Sequence, residues 1–65
     1  MTKAEVRILT ALGARRDQWT TAMDLCEATG VEWFETLAAI ETLRDMGHDI
    51  YARMGFVGTE YQIGD

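Results

Sequence analysis

The first hydrophobic pattern of the chain is helical and begins near its third residue. Val6, Leu9 and Leu12 recur every three residues, with Ile8 flanking them, and they follow a threonine and a glutamate spaced as in a capping box. We therefore expect a helix over residues 3–12, with this apolar face toward the core. Gly13 is a natural residue to end it, because glycine adopts the left-handed conformation that closes many helices.

A second, shorter helix is predicted over residues 21–29. Thr21 is suited to cap it, because a threonine hydroxyl can accept a hydrogen bond from a free amide of the first turn. Gly30 is suited to end it in the left-handed conformation. The residues just before this helix, Trp19 and Thr20, are expected to form a short extended segment.

A third helix, over residues 32–46, is the element around which the fold is expected to form. Its apolar positions lie on one broad face at the helical period, and Gly47 ends the pattern. A short helix, a glycine turn and a longer helix make a helix-turn-helix unit, so the last two helices are expected to pack together. The predicted core face consists of Trp33, Thr36, Leu37, Ile40 and Leu43, with Ala39 and Met46 at its edge.

After the third helix the apolar period changes from the helical one to an alternation. Alternating segments at residues 49–54 and 59–63 predict two strands, and the turn bounded by Gly55 and Gly58 joins them into a β-hairpin. Residues 1–65 are therefore predicted to form one α+β domain, with three helices followed by a two-stranded hairpin.

The chain is acidic, and its acidity lies in the second half. Six Lys and Arg against eleven Asp and Glu give a net charge of −5. Residues 1–30 carry four charges of each sign and are neutral, residues 31–47 carry one arginine against four acids (−3), and residues 48–65 carry one arginine against three (−2). An acidic surface repels the phosphate backbone of DNA unless basic groups cluster locally.

Residues that support catalysis or metal binding are scarce. Cys26 is the only cysteine and His48 the only histidine, so the sequence predicts no disulfide, no catalytic pair and no metal site. We interpret Cys26 as a small buried residue and His48 as a surface residue at the start of a strand. There is no phosphate-cradling glycine loop, no signal-peptide layout and no long apolar run. We therefore expect a cytoplasmic protein that is not an enzyme, holds no cofactor and does not enter a membrane.

Three segments resemble the winged helix-turn-helix family and are most like the N-terminal DNA-binding domains of biotin-operon repressors. They are residues 28–31 (ATGV) at the turn, residues 42–47 (TLRDMG) at the end of the third helix and residues 61–63 (YQI) at the end of the hairpin. The resemblance covers nearly the whole chain. It implies that the third helix enters the major groove of DNA, that the second helix braces it, and that the hairpin, or wing, contacts phosphate or the minor groove.

The first functional hypothesis is a small regulator of transcription, or of another DNA-associated process, that binds duplex DNA. Specific binding relies on several Lys or Arg contacts to phosphate, and Arg44 and Arg53 are the best candidates on the third helix and the wing. The family usually has Ser or Thr where this chain has Glu32, and basic residues at the wing tip where it has Phe56 and Val57. The candidate DNA contacts are Thr21, Trp33, Glu35, Thr42, Arg44 and Arg53.

The second hypothesis is an acidic winged helix that docks on a protein, either a second copy of itself or a regulatory partner with a basic DNA-binding surface. Exposed aromatic residues rimmed by acids are typical of a contact patch. The alternative is that Phe34 folds against the second helix and the wing tip packs onto the core. The fold favours DNA and the charge favours a protein, so the DNA-associated regulator leads only narrowly. The candidate protein contacts are Phe34, Ala38, Glu41, Asp45, Phe56 and Val57.

Overall fold

A computed structural model describes residues 1–65. The chain forms three α-helices and a three-stranded antiparallel sheet, an α+β fold with extents of 31 × 23 × 18 Å. None of the helices has the length and apolar character needed to cross a membrane. The helices are α1 (Lys3–Ala14), α2 (Ala22–Thr29) and α3 (Trp33–Asp45), and the strands are β1 (Thr20–Thr21), β2 (Ile50–Met54) and β3 (Thr59–Ile63).

The first helix, α1, begins as predicted at a capping box and ends later than predicted. The Thr2 hydroxyl accepts a hydrogen bond from the Glu5 amide, and the Glu5 carboxylate accepts one from the Thr2 amide. Gly13 was the wrong stop, because it does not adopt the left-handed conformation and the helix continues through it. The Arg15 amide then bonds to the Leu12 carbonyl and closes the last turn.

The buried face of α1 also differs from the predicted one. Ala4, Ile8 and Leu12 are buried at a spacing of four residues, whereas Val6 is exposed and Leu9 is only partly buried. At about 100° per residue, the observed trio spans about 80° of the helix surface and the predicted trio about 120°. The narrower stripe is the one that packs against α2, α3 and β3, so the assignment of Val6 to the core was wrong.

Both ends of α2 form as its sequence indicates. The Thr21 hydroxyl accepts a hydrogen bond of 3.1 Å from the Asp24 amide. Gly30 ends the helix with a φ of 74°, and its amide donates to the Cys26 carbonyl. Cys26 is partly exposed rather than fully buried, because its sulfur lies at the margin of the α2–α3 contact, 3.5 Å from the Thr36 hydroxyl.

The third helix, α3, is one residue shorter at each end than predicted, since Glu32 and Met46 cap it. Trp33 was expected in the core but is 45% exposed, and Met46 is also exposed. Trp33 is the first residue of α3 and Met46 is its C-cap. Both side chains follow the helical pattern, but at the ends of the helix they are only partly covered by other elements. The buried face of α3 consists of Thr36, Ala39, Ile40 and Leu43, with Leu37 packed partly against the core.

The sheet has three strands in the order β1-β3-β2, not two. The additional strand lies one residue later than the extended segment predicted at Trp19 and Thr20, and it pairs Thr20 with Tyr61 and Thr21 with Glu60. A strand of two residues is too short to show an alternating pattern, and β3, the strand with which it pairs, lies about 40 residues later in the sequence. The β2–β3 hairpin itself is confirmed, in a register that runs from Ile50 opposite Ile63 to Met54 opposite Thr59.

Candidate recognition surface

The outer face of α3 and the tip of the β2–β3 hairpin are two exposed parts of the molecule. We refer to them together as the α3–hairpin surface, defined as the exposed residues of α3 together with residues 55–58. Phe34 is 75% exposed on α3, and Phe56 is fully exposed at the hairpin tip beside the exposed Val57. The alternative in which these side chains fold back onto the core is therefore wrong.

A cleft of about 370 Å³ lies at one end of this surface. Its apolar side chains come from three separate elements: Met23 from α2, Trp33 from the first turn of α3 and Val57 from the hairpin tip. Both Met23 and Val57 are largely exposed, so the cleft is open to solvent. The remaining lining residues are Thr21, Ala22, Asp24, Gly58 and Thr59.

The acidic residues of α3 are concentrated on its outer face. Glu32 caps the helix through its carboxylate, which accepts a 2.9 Å hydrogen bond from the Glu35 amide. Glu35, Glu41 and Asp45 are exposed further along the helix. Acids at a helix N-terminus are favoured by the helix dipole, but those near the C-terminus are not. The face is therefore acidic along its whole length.

The one basic residue of α3 is already engaged by groups of the same chain. Arg44 forms an ion pair of 3.0 Å with Glu41, one turn earlier. Its Nε also donates a 3.0 Å hydrogen bond to the Ile50 carbonyl at the start of β2. The guanidinium therefore holds the end of α3 against the sheet, and little of its charge is free to meet a phosphate.

The arginine of the hairpin is engaged in the same way. The Nε of Arg53 lies 2.8 Å from a carboxylate oxygen of Glu60, its partner across the β2–β3 ladder. Its guanidinium also lies over the Trp19 ring, 4.1 Å from the ring centroid, in a cation–π contact. Both arginines predicted to contact phosphate are thus paired with carboxylates.

The other predicted contact residues are dispersed. The Thr21 hydroxyl is occupied by the α2 cap, and Thr42 is partly buried. Glu35 is exposed beside Trp33 in the first turn of α3, and Ala38 is exposed one turn further on. Of the predicted DNA contacts, Thr21 and Trp33 line the cleft, and Trp33 meets apolar neighbours there.

The cations outside α3 and the hairpin lie on α1 and the loop after it. Lys3 and Arg7 are exposed on α1, and Arg15 lines a second groove that shares Asp24 with the cleft and also contains Trp19. In the following loop, Arg16 donates a hydrogen bond to the backbone carbonyl of Asp65. None of these four cations belongs to α3 or to residues 55–58, but Arg15 lines the same groove as Trp19, the ring that Arg53 covers.

One residue that lines the cleft, Met23, was not predicted from the sequence. Met23 was not singled out because it lies outside the apolar stripe of α2, which buries Ala22 and Leu25. A large apolar residue on the outward side of a first helical turn, next to Asp24, is the signal that could have identified it.

At the end of the hairpin away from the tip, the carboxylate of Asp65 contacts His48 and Asp49. The Asp65 carboxylate accepts a 2.7 Å hydrogen bond from the Asp49 amide and lies 3.0 Å from His48 Nδ1. The hydrogen bond with His48, followed by that from Asp49, holds the pKa of Asp65 below its usual value. His48, expected on the surface, is thus part of a structural contact, and no group of three His, Cys, Asp or Glu side chains is arranged to hold a metal ion.

Comparison of the chain with protein-family models, with curated proteins and with solved structures gives no match.

Proposed function

We propose that the chain is a winged-helix regulatory module that docks on a protein partner through the α3–hairpin surface. The observation that carries this proposal is the combination of exposed Phe34, Phe56 and Val57 with arginines that are already paired to carboxylates. Exposed aromatic residues are characteristic of protein contacts, and free cations are what a DNA contact needs.

The order of the elements supports the winged-helix part of the proposal. A helix, a short strand, two helices joined by a glycine turn and a hairpin follow one another, and the short strand pairs with the second hairpin strand. In the winged-helix arrangement the hairpin is the wing and α3 is the recognition helix. The resemblance to biotin-operon repressors makes transcription, or another DNA-associated process, the setting in which the module acts.

Charge favours a protein over DNA as the direct ligand. Four acids against one arginine over residues 31–47 leave the recognition helix negative, and the arginine is held by Glu41. Each phosphate that a protein contacts normally has a Lys, an Arg or a hydrogen-bond donor facing it. A phosphate near this helix would meet carboxylates instead, and the repulsion would grow as the salt concentration falls.

The apolar side chains favour the same conclusion. Single exposed hydrophobic residues are ordinary, but contiguous exposed patches mark interaction sites. Here one exposed apolar side chain from each of α2, α3 and the hairpin lines the same cleft, namely Met23, Trp33 and Val57. A partner that covered them would remove apolar area from water at roughly 25 cal/mol per Å².

Site-specific photo-crosslinking in the cells that make the protein tests the proposal. A benzophenone analogue of phenylalanine replaces Phe34 or Phe56, both of which are exposed, so the fold is preserved. We expect protein adducts from both positions and none from Val6, an exposed residue of α1 that serves as the control. Adducts that form equally well from Val6, or no protein adduct from either phenylalanine, would contradict the proposal.

Direct binding of duplex DNA is the second candidate function, and one observation favours it. The Arg53–Glu60 pair lies at the surface, with the arginine side chain 53% exposed, and exposed ion pairs are weak. A phosphate could therefore replace Glu60 as the partner of Arg53. An electrophoretic mobility shift with mixed-sequence duplexes at low salt tests this candidate. A complex that weakens steeply with salt and is lost in Arg53→Ala would establish it over protein docking.

A further inference from the structure

The carboxylates around the cleft have no cationic partner. The three ion pairs of the chain use Glu41, Glu60 and Asp65. Asp24 lines the cleft, and its carboxylate takes part in none of them. No ion pair within the chain therefore neutralises the carboxylate that lines the cleft.

Two more acids without an ion pair lie near Trp33 in the sequence. Glu32 directly precedes Trp33, and Glu35 lies two residues after it, on the outer side of the same first turn of α3. Both are exposed, and neither forms an ion pair. The helix dipole accounts for acids at this end of α3, but it gives no reason for Met23, Trp33 and Val57 to stay exposed.

No Lys or Arg lines the cleft. A ligand complementary to the cleft would therefore present one apolar side chain that enters it and positive charges beside that side chain. The volume of about 370 Å³ falls in the range of sites that take a compact apolar group. Cations around the anchor would meet Asp24 in the cleft and Glu32 next to Trp33, and Glu35 adds negative charge on the outer side of the same turn. Complementary charge of this kind selects partners and accelerates their encounter.

We propose that this cleft binds a segment of another protein in which a large apolar residue is flanked by Lys or Arg. This inference rests on the proposed protein-docking function and names the chemistry of its partner. Nucleic acid is disfavoured as the occupant because it would bring phosphates to the three unpaired carboxylates. The basic partner supplies the positive charge that α3 and the hairpin lack.

A second copy of the chain is the competing occupant. Val6 is exposed on α1 between exposed Lys3 and Arg7, which lie three and one residues from it. Such a contact would join the α1 of one copy to the cleft of the next, and a head-to-tail contact of this kind leads to open chains of molecules. It would be broken equally by Val6→Gln and by Val57→Gln, whereas docking of another protein needs only the cleft.

Selection from a displayed library of random twelve-residue peptides against the immobilised chain tests the inference. We expect the recovered peptides to be enriched, relative to the unselected library, in Lys and Arg adjacent to one large apolar residue. Fluorescence anisotropy of a recovered peptide should show binding weakened about tenfold or more in Met23→Gln and in Val57→Gln, as for truncated anchors in other interfaces. Met54 is a still more exposed methionine outside the cleft, so Met54→Gln is the control and should bind like the unmodified chain.

Neutral variants test the role of charge separately. Glu32→Gln keeps an oxygen that can cap α3, and Asp24→Asn and Glu35→Gln remove charge with little change of shape. We expect the triple variant to bind the same peptide more weakly and with a smaller dependence on salt.

Four results would overturn the inference. They are recovery of no peptide, recovered peptides without enrichment in Lys and Arg, binding that survives Met23→Gln and Val57→Gln, and light scattering that shows an oligomer dissociated by Val6→Gln. The proposed function is judged separately, by the adducts from Phe34 and Phe56. Protein adducts there together with peptides that lack cations would leave docking in place and remove only the basic partner.

Discussion

The inner and outer faces of α3 both carry large apolar side chains, but only the inner face uses them for the fold. Ile40 and Leu43 are fully buried against α1 and the sheet, whereas Phe34 on the outer face is 75% exposed. Burial of Ile40 or Leu43 stabilises the domain by roughly 1.5–3 kcal/mol each. Phe34 is largely exposed, so its side chain makes no comparable contribution to the stability of the fold.

The largest expected effect comes from the inner face. Ile40→Ala should lower the free energy of unfolding by about 2–5 kcal/mol, because it removes buried methyl groups and leaves a cavity. A domain of 65 residues has a total stability of only about 3–10 kcal/mol. Urea denaturation followed by circular dichroism measures the change. Phe34→Ala is the matched variant and should alter stability by less than about 0.5 kcal/mol. Equal losses in the two variants would remove the distinction between the faces.

A smaller effect is expected at the cap of α2, which holds Met23 in position beside α3. Thr21→Ala should cost about 1 kcal/mol, because the Asp24 amide loses its acceptor. Thr21→Ser keeps the hydroxyl and serves as the control. Thermal denaturation should place Thr21→Ala roughly 4–8 °C below the unmodified chain. Identical melting temperatures for the two variants would mean that the cap contributes nothing.

The exposed arginine of the hairpin should matter still less for stability. Arg53→Ala removes a surface ion pair and a cation–π contact, and together these contribute on the order of 1 kcal/mol or less. The emission of Trp19 should change, because the guanidinium lies over its ring. Arg7→Ala, at an exposed position of α1 without an ion pair, should leave both stability and emission unaltered. A large loss of stability in Arg53→Ala would show that the hairpin depends on this contact.

The smallest effect is a dependence on pH at the end of the hairpin. The folded chain holds the pKa of Asp65 below its usual value, so this carboxylate stabilises the fold above the pKa of an unfolded aspartate. The contribution should be lost as the pH falls through the lower pKa of the folded state. Two-dimensional NMR of the carboxyl carbon measures that pKa directly. Asp65→Asn should be slightly less stable at neutral pH and equally stable in acid, and a normal pKa for Asp65 would contradict the contact with His48.

Local signals in the sequence were sufficient for much of the fold. The caps formed by Thr2 and Thr21 and the left-handed Gly30 depend on neighbouring residues alone, and all three are present. Burial was less predictable, because periodicity defines a face of a helix but not the length over which another element covers it. Trp33 and Val6 both have helical periodicity and both remain exposed. The pairing of β1 with β3 is non-local, and the two residues of β1 are too few to show the alternation of a strand.

The candidate site was predicted only in part, for a related reason. The acidic outer face of α3 and the apolar hairpin tip follow from the order of residues. The pair of Arg44 with Glu41 follows from their spacing of three residues on one helix, but the pair of Arg53 with Glu60 depends on the register of the hairpin, which the sequence does not reveal. Nor does it reveal the cleft, whose walls come from α2, α3 and the hairpin.

The most direct test of the central claim is to determine whether the outer face of α3 contacts a protein or a nucleic acid. A photo-crosslinking residue at position 34 forms adducts in the cells that make the protein. One portion of these adducts is treated with protease and another with nuclease, and both portions are then separated by electrophoresis. Docking on a protein predicts an adduct that survives nuclease and is destroyed by protease treatment of the captured partner. An adduct that is shortened by nuclease and carries no second polypeptide would contradict the account, because α3 would then be in contact with nucleic acid.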